Sequence, residues 1–156
     1  MTQSKTEHAT FVIERNYAAS PARVFGAWAE PAAKARWFNG PGDWQNEGHE
    51  LDFRVGGRER LRVGPVGGVP HTFECVYREI VPGERIIYCY DMYLGEKRIS
   101  VSLATVEFAA AGSGTRMVFT EQSVFLDGSD AVESRERGTR DLLDKLEAAL
   151  TGSGRS

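Results

Sequence analysis

The side chain best suited to acid or base chemistry in this chain is Glu121, a carboxylate set among apolar neighbours. Met117, Phe119 and Phe125 share its alternation along the last predicted strand. If that face points into the protein, Glu121 loses hydration and its pKa rises, which is how many catalytic carboxyl groups are tuned. The simpler interpretation, which we favour, is that Glu121 faces solvent or pairs with an arginine such as Arg98.

Two neighbouring strands are predicted to supply an aromatic wall. A two-residue turn at Pro82-Gly83 pairs Cys75 with Tyr90, which sets the residues that share one face of the hairpin. Such a face suits an apolar or aromatic ligand, because rings bury surface while tyrosine hydroxyls orient a polar substituent. Taken singly, each ring is more simply part of the core, and only the group favours a pocket. The face consists of Phe73, Cys75, Tyr77, Tyr88, Tyr90 and Met92.

The two cysteines are expected to be reduced thiols. In the same register Val76 pairs with Cys89, so Cys75 and Cys89 point to opposite faces of the sheet. A loop one residue longer would bring them to the same face. The cytoplasmic location that we expect also disfavours a disulfide.

The remaining reactive residues form no recognisable catalytic or metal site. The histidines are His8, His49 and His71, and they lie in a tail, at a strand start and at a loop end, without HxxxH or CxxC spacing. The glycine-rich stretch 64–68 lacks the Lys-Ser or Lys-Thr of a phosphate-binding loop. We therefore expect no metal and no cofactor, and we assign no catalytic residue.

Composition indicates an ordinary single-domain protein. The chain has 156 residues, 41% of them hydrophobic and 26% charged, and a formal net charge of −3. A nucleic-acid-binding protein would carry a basic surplus or stripe, and this chain has neither. Residues 1–10 lack the apolar core of a signal peptide, and no apolar run is long enough to span a membrane. We therefore expect a cytoplasmic protein with no membrane span and no nucleic-acid partner.

The elements that must position these residues are predicted to be one strand, two short helices, six strands and a long helix. Ser20-Pro21 marks the first helix start, and Pro31 opens a second short helix that carries Trp37 and Phe38. Loops are predicted where Gly and Pro or small residues cluster, at 64–70 and 109–114. Strands are predicted over residues 10–18, 50–55, 58–63, 71–81, 84–93, 98–108 and 115–125.

The final helix, predicted over residues 130–150, has a thin apolar face in its first half. Asp130 and Glu133 have the spacing of a capping box, and Gly152 marks the predicted end. Gly138 in the helix interior costs on the order of 1 kcal/mol relative to Ala, so a local need must offset it. Close backbone packing and room for a ligand beneath the helix are both compatible with this glycine.

Several segments are similar to the domain named for the activator of the heat-shock protein 90 ATPase. They are SPARVF at residues 20–25, ARWF at 35–38, DFRVGG at 52–57 and GTRDLL at 138–143, and the likeness covers about residues 11–150. By this resemblance, the chain is identified as a single-domain bacterial member of the SRPBCC/START-like superfamily. It implies an α+β helix-grip fold, in which a curved antiparallel sheet wraps around the long C-terminal helix. The ends, residues 1–9 and 152–156, are then expected to be loose.

The helix-grip resemblance implies a cavity between the sheet and the last helix. Trp37 and Phe38 would lie at its entrance. Many relatives have Gly-Trp where this chain has Gly138-Thr139, which indicates a larger or more polar pocket. The predicted ligand-binding residues are Trp37, Phe38, Phe53, Phe73, Cys75, Tyr77, Tyr88, Tyr90, Met92, Phe119, Glu121, Gly138, Thr139 and Leu142.

Three functions are compatible with these observations. We favour binding of a small apolar or aromatic molecule in the cavity. The alternative is a cyclase-like or dehydratase-like enzyme, in which Glu121 with Tyr88 or Tyr90 moves protons. A co-chaperone-like protein-interaction module is the third. The strand edges that this fold leaves exposed are also compatible with a homodimer.

Overall fold

The chain forms a curved antiparallel sheet of seven strands, with the strand order β1-β7-β6-β5-β4-β3-β2. The computed structural model describes residues 4–153, and the predicted loose ends at 1–3 and 154–156 lie outside that range. The strands are β1 Thr6–Tyr17, β2 Gln45–Leu51, β3 Arg58–Gly64, β4 His71–Val81, β5 Arg85–Leu94, β6 Lys97–Ala111 and β7 Gly114–Leu126. The helices are α1 Pro21–Ala29, α2 Pro31–Ala35 and α3 Val132–Ser153. The predicted α+β helix-grip architecture is confirmed.

The first strand begins earlier than predicted, at Thr6 rather than Thr10. Its pairing with β7 runs from Thr6 opposite Leu126 to Tyr17 opposite Thr115. Residues 6–9 therefore belong to the sheet and not to a loose end. None of the helices within residues 4–153 has the length and apolar character that crossing a membrane requires.

The two short helices begin where the sequence predicted. The side chain of Ser20 caps α1 by accepting a hydrogen bond of 3.3 Å from the backbone N–H of Arg23. The second helix ends at Ala35, so Trp37 and Phe38 follow it in a turn and are not carried by it. The Trp37 indole N–H donates to the Ala27 carbonyl at 2.9 Å, which fixes this turn against α1.

The predicted strand at 50–55 is wrong in its position. Strand β2 lies earlier and ends at Leu51, and the chain then turns tightly through residues 52–57. A Cβ at Gly57 would stand 2.1 Å from the Asp52 carbonyl oxygen, so only glycine permits this turn. Within DFRVGG only the Phe53 ring points inward, and its centre lies 5.0 Å from that of the Tyr77 ring. This single inward ring gives the segment the appearance of strand alternation.

Strands β4 and β5 pair in the predicted register at Cys75 and Tyr90, although the loop that joins them differs from the prediction. Val81 pairs with Arg85, so the loop has one residue more than the predicted Pro82-Gly83 turn. A bulge between Tyr77 and Glu79 shifts the pairing back by one residue. Cys75 therefore pairs with Tyr90 as predicted, Cys75 is buried, Cys89 is exposed, and both thiols are free.

The last hairpin and the last helix differ from the sequence prediction at their ends. Strand β6 continues to Ala111, so the turn is shorter than the predicted loop at 109–114. Helix α3 begins at Val132, because Asp130 does not form the capping box: its Oδ1 accepts from the Ala131 N–H. Gly152 lies inside the helix and does not end it.

The second half of helix α3 supplies most of its apolar contacts with the rest of the protein. The Tyr17 hydroxyl donates to the Leu143 carbonyl at 3.1 Å, and Arg15 pairs with Asp144 at 2.5 Å. Leu143 and Leu146 are buried in the core. The first half of the helix therefore lies over the sheet with little apolar packing beneath it, and this is where the cavity lies.

Candidate ligand-binding cavity

A cavity of about 410 Å³ lies between the sheet and the first half of α3. This volume is within the range of roughly 300–1,000 Å³ that is typical of small-molecule sites. Aromatic rings form most of the wall, and polar groups are gathered at the helix end and at the rim. The lining residues are Trp28, Trp37, Phe38, Asn39, Gly40, Pro41, Trp44, Leu61, Val63, His71, Phe73, Tyr88, Tyr90, Met92, Phe119, Glu121, Asp130, Ser134, Arg135, Gly138, Thr139, Asp141, Leu142, Leu143 and Lys145.

Arg135 holds the polar end of the cavity together. Its Nη2 donates to Asp130 Oδ2 at 2.9 Å and to Ser100 Oγ at 2.8 Å. Its Nη1 donates to the Tyr90 hydroxyl at 2.9 Å and lies 3.5 Å from Glu121 Oε2. The guanidinium thereby joins the start of α3 to strands β5, β6 and β7.

Glu121 points into the protein and is only 1% exposed. Its Oε2 accepts from the Tyr90 hydroxyl at 2.7 Å and from Ser123 Oγ at 3.0 Å. Burial raises the pKa of Glu121 above its usual value, and it outweighs Arg135, Tyr90 and Ser123, which all favour the ionised form. Glu121 therefore does not face solvent, and the arginine beside it is Arg135 and not Arg98, which lies near Asp91 on the neighbouring strand.

Two buried nitrogens in the lining side chains have no hydrogen-bond partner among the described residues: Trp28 Nε1 and His71 Nδ1. The His71 ring lies 4.9 Å from the ring of Trp44. Burial lowers the pKa of His71. The Asp130 carboxylate raises this pKa and the Arg135 guanidinium lowers it, and the net shift is downward. Buried polar groups are nearly always satisfied, so these two nitrogens, which have almost no accessible surface, are exceptions in the packing around the cavity.

A second cluster of buried charges lies behind the aromatic wall. Lys34 Nζ donates to Glu59 Oε1 at 2.6 Å, and the Tyr77 hydroxyl donates to the same oxygen at 2.5 Å. His49 Nε2 lies 2.7 Å from Glu59 Oε2. The ammonium group also lies 4.5 Å from the ring centre of Phe38, which lines the cavity. This cluster therefore supports the wall without belonging to it.

Most of the residues predicted for the site lie together in the cavity wall. Three do not line it: Phe53, in the turn at 52–57, and Cys75 and Tyr77, on β4, pack in the core instead. The Cys75 thiol is held in the core, where burial raises its pKa to about 12. Those that line the cavity are Trp37, Phe38, Phe73, Tyr88, Tyr90, Met92, Phe119, Glu121, Gly138, Thr139 and Leu142.

The glycine and threonine of α3 lie over the cavity. A Cβ built on Gly138 would meet nothing within 4 Å, so close packing of another element is not the reason for this glycine. Thr139 also lines the cavity, and its hydroxyl donates to the Arg135 carbonyl within the helix at 3.0 Å. The space beneath the helix is therefore open at both positions.

Sequence reasoning missed several residues of this region, among them Trp28, Lys34, Glu59 and Arg135. Glu59 could have been predicted to be buried, because it alternates with Leu61 and lies on the same buried face of β3. Trp28 follows Val24 and Phe25 at helical spacing, which does not distinguish it from ordinary packing, although it lines the cavity. Lys34 and Arg135 had no such signal, since each sits in a helix among residues typical of a solvated face.

Comparisons with known proteins agree with this architecture. The family described as Activator of Hsp90 ATPase homolog 1-like protein matches residues 18–151. A solved structure from Rhizobium leguminosarum is 52% identical with a TM-score of 0.91, covering 96% of this chain and 99% of that one. The protein Mll3558 of Rhizobium loti is 43% identical with a TM-score of 0.86, covering 93% and 99%.

More distant similarity extends to other bacteria. The protein CV1439 of Chromobacterium violaceum is 26% identical with a TM-score of 0.77, and the match covers 90% of this chain and 96% of that one. A comparison with curated proteins gives no match. The family match spans most of the chain, and the two rhizobial proteins match almost from end to end. The chain therefore belongs to the Activator of Hsp90 ATPase homolog 1-like family.

Proposed function

We propose that this protein binds a small, mainly apolar or aromatic molecule in the cavity between the sheet and α3. The observation that carries the proposal is the 410 Å³ space itself, which lies beneath a helix whose residues 133–141 include no bulky apolar side chain. A helix that only closed a core would fill this space, because interiors are packed to nearly crystalline density.

The composition of the wall supports an aromatic or otherwise flat ligand. Phe73 and Tyr90 have ring centres 4.7 Å apart, and Tyr88 lies 6.0 Å from Tyr90. Rings held at these separations offer both faces and edges to a further ring. The charged groups are confined to one end and to the rim, so they can orient a ligand without filling the space.

The experiment is titration with N-phenyl-naphthylamine, an uncharged probe whose fluorescence rises on transfer from water to an apolar site. The test variant is Thr139→Trp, which places a large ring in the cavity. The matched control is Arg137→Trp, which adds the same ring to an exposed position of the same helix outside the lining. We expect saturable one-to-one binding that Thr139→Trp abolishes and Arg137→Trp preserves.

Native mass spectrometry of the gently purified protein provides an independent measurement. A reproducible mass above the 17.2 kDa of the chain, lost on denaturation, would identify a molecule acquired in the cell. Equal probe binding in both tryptophan variants would contradict a site beneath α3. A chain that carries no added mass and takes no probe would contradict the proposal and favour the co-chaperone-like role.

Glu121 favours a second candidate function, a dehydratase-like or cyclase-like enzyme in the same cavity. A buried carboxyl group with a raised pKa holds its proton to higher pH than an ordinary carboxyl group and can act as an acid or a base, and the Tyr90 hydroxyl lies 2.7 Å from it. The assay follows loss of water from a naphthyl β-hydroxyketone, which yields the more strongly absorbing conjugated enone. Turnover that disappears in Glu121→Gln while probe binding persists would establish the enzyme, and no turnover would leave binding alone.

A further inference from the structure

Lys145 is a cation in the wall of the cavity that has no anionic partner. Its Nζ donates to the Asn39 side-chain oxygen at 2.8 Å and to the Gly40 carbonyl at 2.9 Å, with a longer contact of 3.4 Å to the Asn39 carbonyl. All three acceptors are neutral oxygens, and Lys145 forms no ion pair with any residue in the described range 4–153. Its positive charge is therefore uncompensated.

Arg135, the other strongly basic residue of the lining, is already compensated. It lies 2.9 Å from Asp130 Oδ2 and 3.5 Å from Glu121 Oε2. Arg135 is buried, whereas Lys145 is only partly buried and can be reached at the rim. An anion that approaches the cavity therefore finds its partner at Lys145 and not at the buried end.

The acid–base behaviour of Lys145 reflects the lack of a counter-charge. Burial lowers the pKa of its ammonium group below the usual 10.5, and the Asp141 carboxylate, one turn earlier in α3, opposes this shift only in part. A charge that is withdrawn from water without a counter-charge is destabilised. A bound carboxylate would supply the counter-charge, through a charge-assisted hydrogen bond that is stronger than a bond to a neutral oxygen.

A second feature of the surface around Lys145 also favours an anion. Lys145 lines a further, more open depression, together with Arg36, Ala148, Ala149 and Gly152. Arg36 is exposed and forms no ion pair within the part of the chain that the structure describes. This depression therefore has two cations and, among the described residues, no carboxylate side chain in its lining. Because Lys145 belongs to both walls, a group bound to its ammonium lies where the apolar cavity meets the basic depression.

We infer that the ligand is an amphipathic carboxylate, whose flat or aromatic body fills the cavity beneath α3 and whose carboxylate binds the ammonium group of Lys145 at the rim, with Arg36 adding a second positive charge. This inference rests on the proposed function and specifies the ligand class of the same cavity. A single negative charge fits this rim better than a phosphate dianion, because Asp141 also lines the cavity there and would repel the additional charge.

The experiment compares two probes that differ in charge and hardly in shape. Naphthaleneacetate and naphthaleneacetamide carry the same ring system, and at about pH 7 only the acetate is charged. Each is titrated by displacement of N-phenyl-naphthylamine. The measured quantity is the acid preference, which is the ratio of the dissociation constant of the amide to that of the acid. We expect the wild type to prefer the acid, and a preference for the amide would overturn the inference.

Lys145→Gln and Arg137→Gln form a matched pair on α3. Each removes one positive charge from the helix, but Arg137 is exposed and lines neither the cavity nor the depression. We expect Lys145→Gln to lower the acid preference roughly fivefold, as for a charge-assisted hydrogen bond that water partly screens, and Arg137→Gln to leave it within about twofold. Lys145→Arg keeps the charge and should retain most of the preference. An equal change in the two glutamine variants, or none in either, would overturn the inference.

Asn39→Ala separates the charge of Lys145 from its attachment to the turn at residues 39–40. This variant removes the 2.8 Å hydrogen bond and leaves the ammonium group in place. Loosening of the turn changes the affinity for both probes alike, so the acid preference should stay close to the wild-type value. A fall as large as that in Lys145→Gln would show that the attachment and not the charge sets the preference, which would contradict the assignment.

Ionic strength provides a readout that a merely structural role of Lys145 would not produce. We expect the acid preference of the wild type to fall as sodium chloride is raised from about 0.05 M to about 0.5 M, because salt screens a partly exposed pair of charges. The preference of Lys145→Gln should change less. Arg36→Gln should lower the preference by a smaller factor than Lys145→Gln, because its exposed guanidinium is screened more strongly. The same salt dependence in the wild type and in Lys145→Gln would contradict the site.

The outcomes separate this inference from the proposed function. If N-phenyl-naphthylamine binds but neither probe displaces it, or if Lys145→Gln leaves the acid preference unaltered, the carboxylate site is overturned and the cavity function stands. Failure of N-phenyl-naphthylamine itself to bind would overturn both. An acid preference that falls in Lys145→Gln, is retained in Lys145→Arg and is weakened by salt would support the assignment.

Discussion

The ion pair between Lys34 and Glu59 makes a prediction about stability that connects the helices to the cavity wall. The side chains are 1% and 0% exposed, and Nζ lies 2.6 Å from Oε1. The ammonium group is also within 6.0 Å of the centres of five aromatic rings, among them Phe38. Since α2 contributes the lysine and β3 the glutamate, the pair fixes α2 and the turn that follows it to the sheet.

The perturbation is Lys34→Met, which keeps the length of the side chain and removes the charge. It leaves the Glu59 carboxylate buried without the lysine charge, and breaking a buried pair in this way costs about 3–5 kcal/mol in the free energy of unfolding. For a domain of this size, that corresponds to roughly 6–20 °C in the thermal midpoint. Chemical denaturation followed by circular dichroism measures the free energy. Affinity for N-phenyl-naphthylamine should also fall, because Phe38 loses its support.

The matched control is Arg60→Met on the same strand. Arg60 pairs with Glu74 at 3.2 Å, but both side chains are close to half exposed. Exposed pairs of this kind contribute no more than about 1 kcal/mol. If Lys34→Met cost no more than Arg60→Met, the reasoning about the buried pair would be refuted.

A double-mutant cycle separates the pair from general packing. Glu59→Gln keeps an oxygen to accept from Tyr77 while removing the charge. We expect the double variant Lys34→Met with Glu59→Gln to be more stable than the sum of the single effects predicts, by about 1–3 kcal/mol. Additive effects would show that the two charges do not stabilise one another.

The pH dependence of the same pair has a definite sign. Burial alone would raise the pKa of Glu59, but Lys34, with hydrogen bonds from His49 and Tyr77, holds it below its usual value of 4.5. The stabilisation is therefore complete above pH 4.5 and is lost as pH falls through the lowered pKa. In Lys34→Met the remaining burial raises this pKa instead. The difference in stability between the two proteins should thus be largest at neutral pH, begin to shrink as pH falls through the raised pKa of the variant, and shrink further below pH 4.5 as the wild type loses its stabilisation.

Local patterns in the sequence predicted most of the fold. The Ser20-Pro21 start signal and the alternation of the hairpin strands depend on neighbours in the chain, and both were confirmed. The errors lie at the ends of elements. The turn after Val81 is longer than predicted, and a bulge that no local signal indicated restores the register. The tight turn at 52–57 was taken for a strand because one inward ring imitates alternation.

The site was predictable only in the part that strands build. Alternation placed Tyr88 and Tyr90 on the inner face, and the structure puts both in the cavity wall. The charged groups were not predictable, because each pairs with a residue distant in sequence. Lysine is rarely buried, and nothing near Lys34 in the chain shows that Glu59 lies opposite it. The arginine beside Glu121 was likewise not predictable, because Arg135 reaches it from another element.

Three further predictions concern local terms in stability. Gly138→Ala should raise the free energy of unfolding by about 1 kcal/mol, because the added methyl group meets nothing within 4 Å and the helix gains propensity. Ser20→Ala should lower it by about 1 kcal/mol, because the N–H of Arg23 loses its cap, and Ser20→Asp should restore it. His71 should titrate below its usual 6.5 in a nuclear magnetic resonance experiment, because burial lowers its pKa. The unfolded chain then binds a proton more readily than the folded protein, so this histidine reduces stability as pH falls from about 6.5 through its lowered pKa. His71→Gln should remove that part of the decline while the part due to Glu59, which begins only below 4.5, persists. A decline between these two pH values that His71→Gln leaves unchanged would assign it to another group.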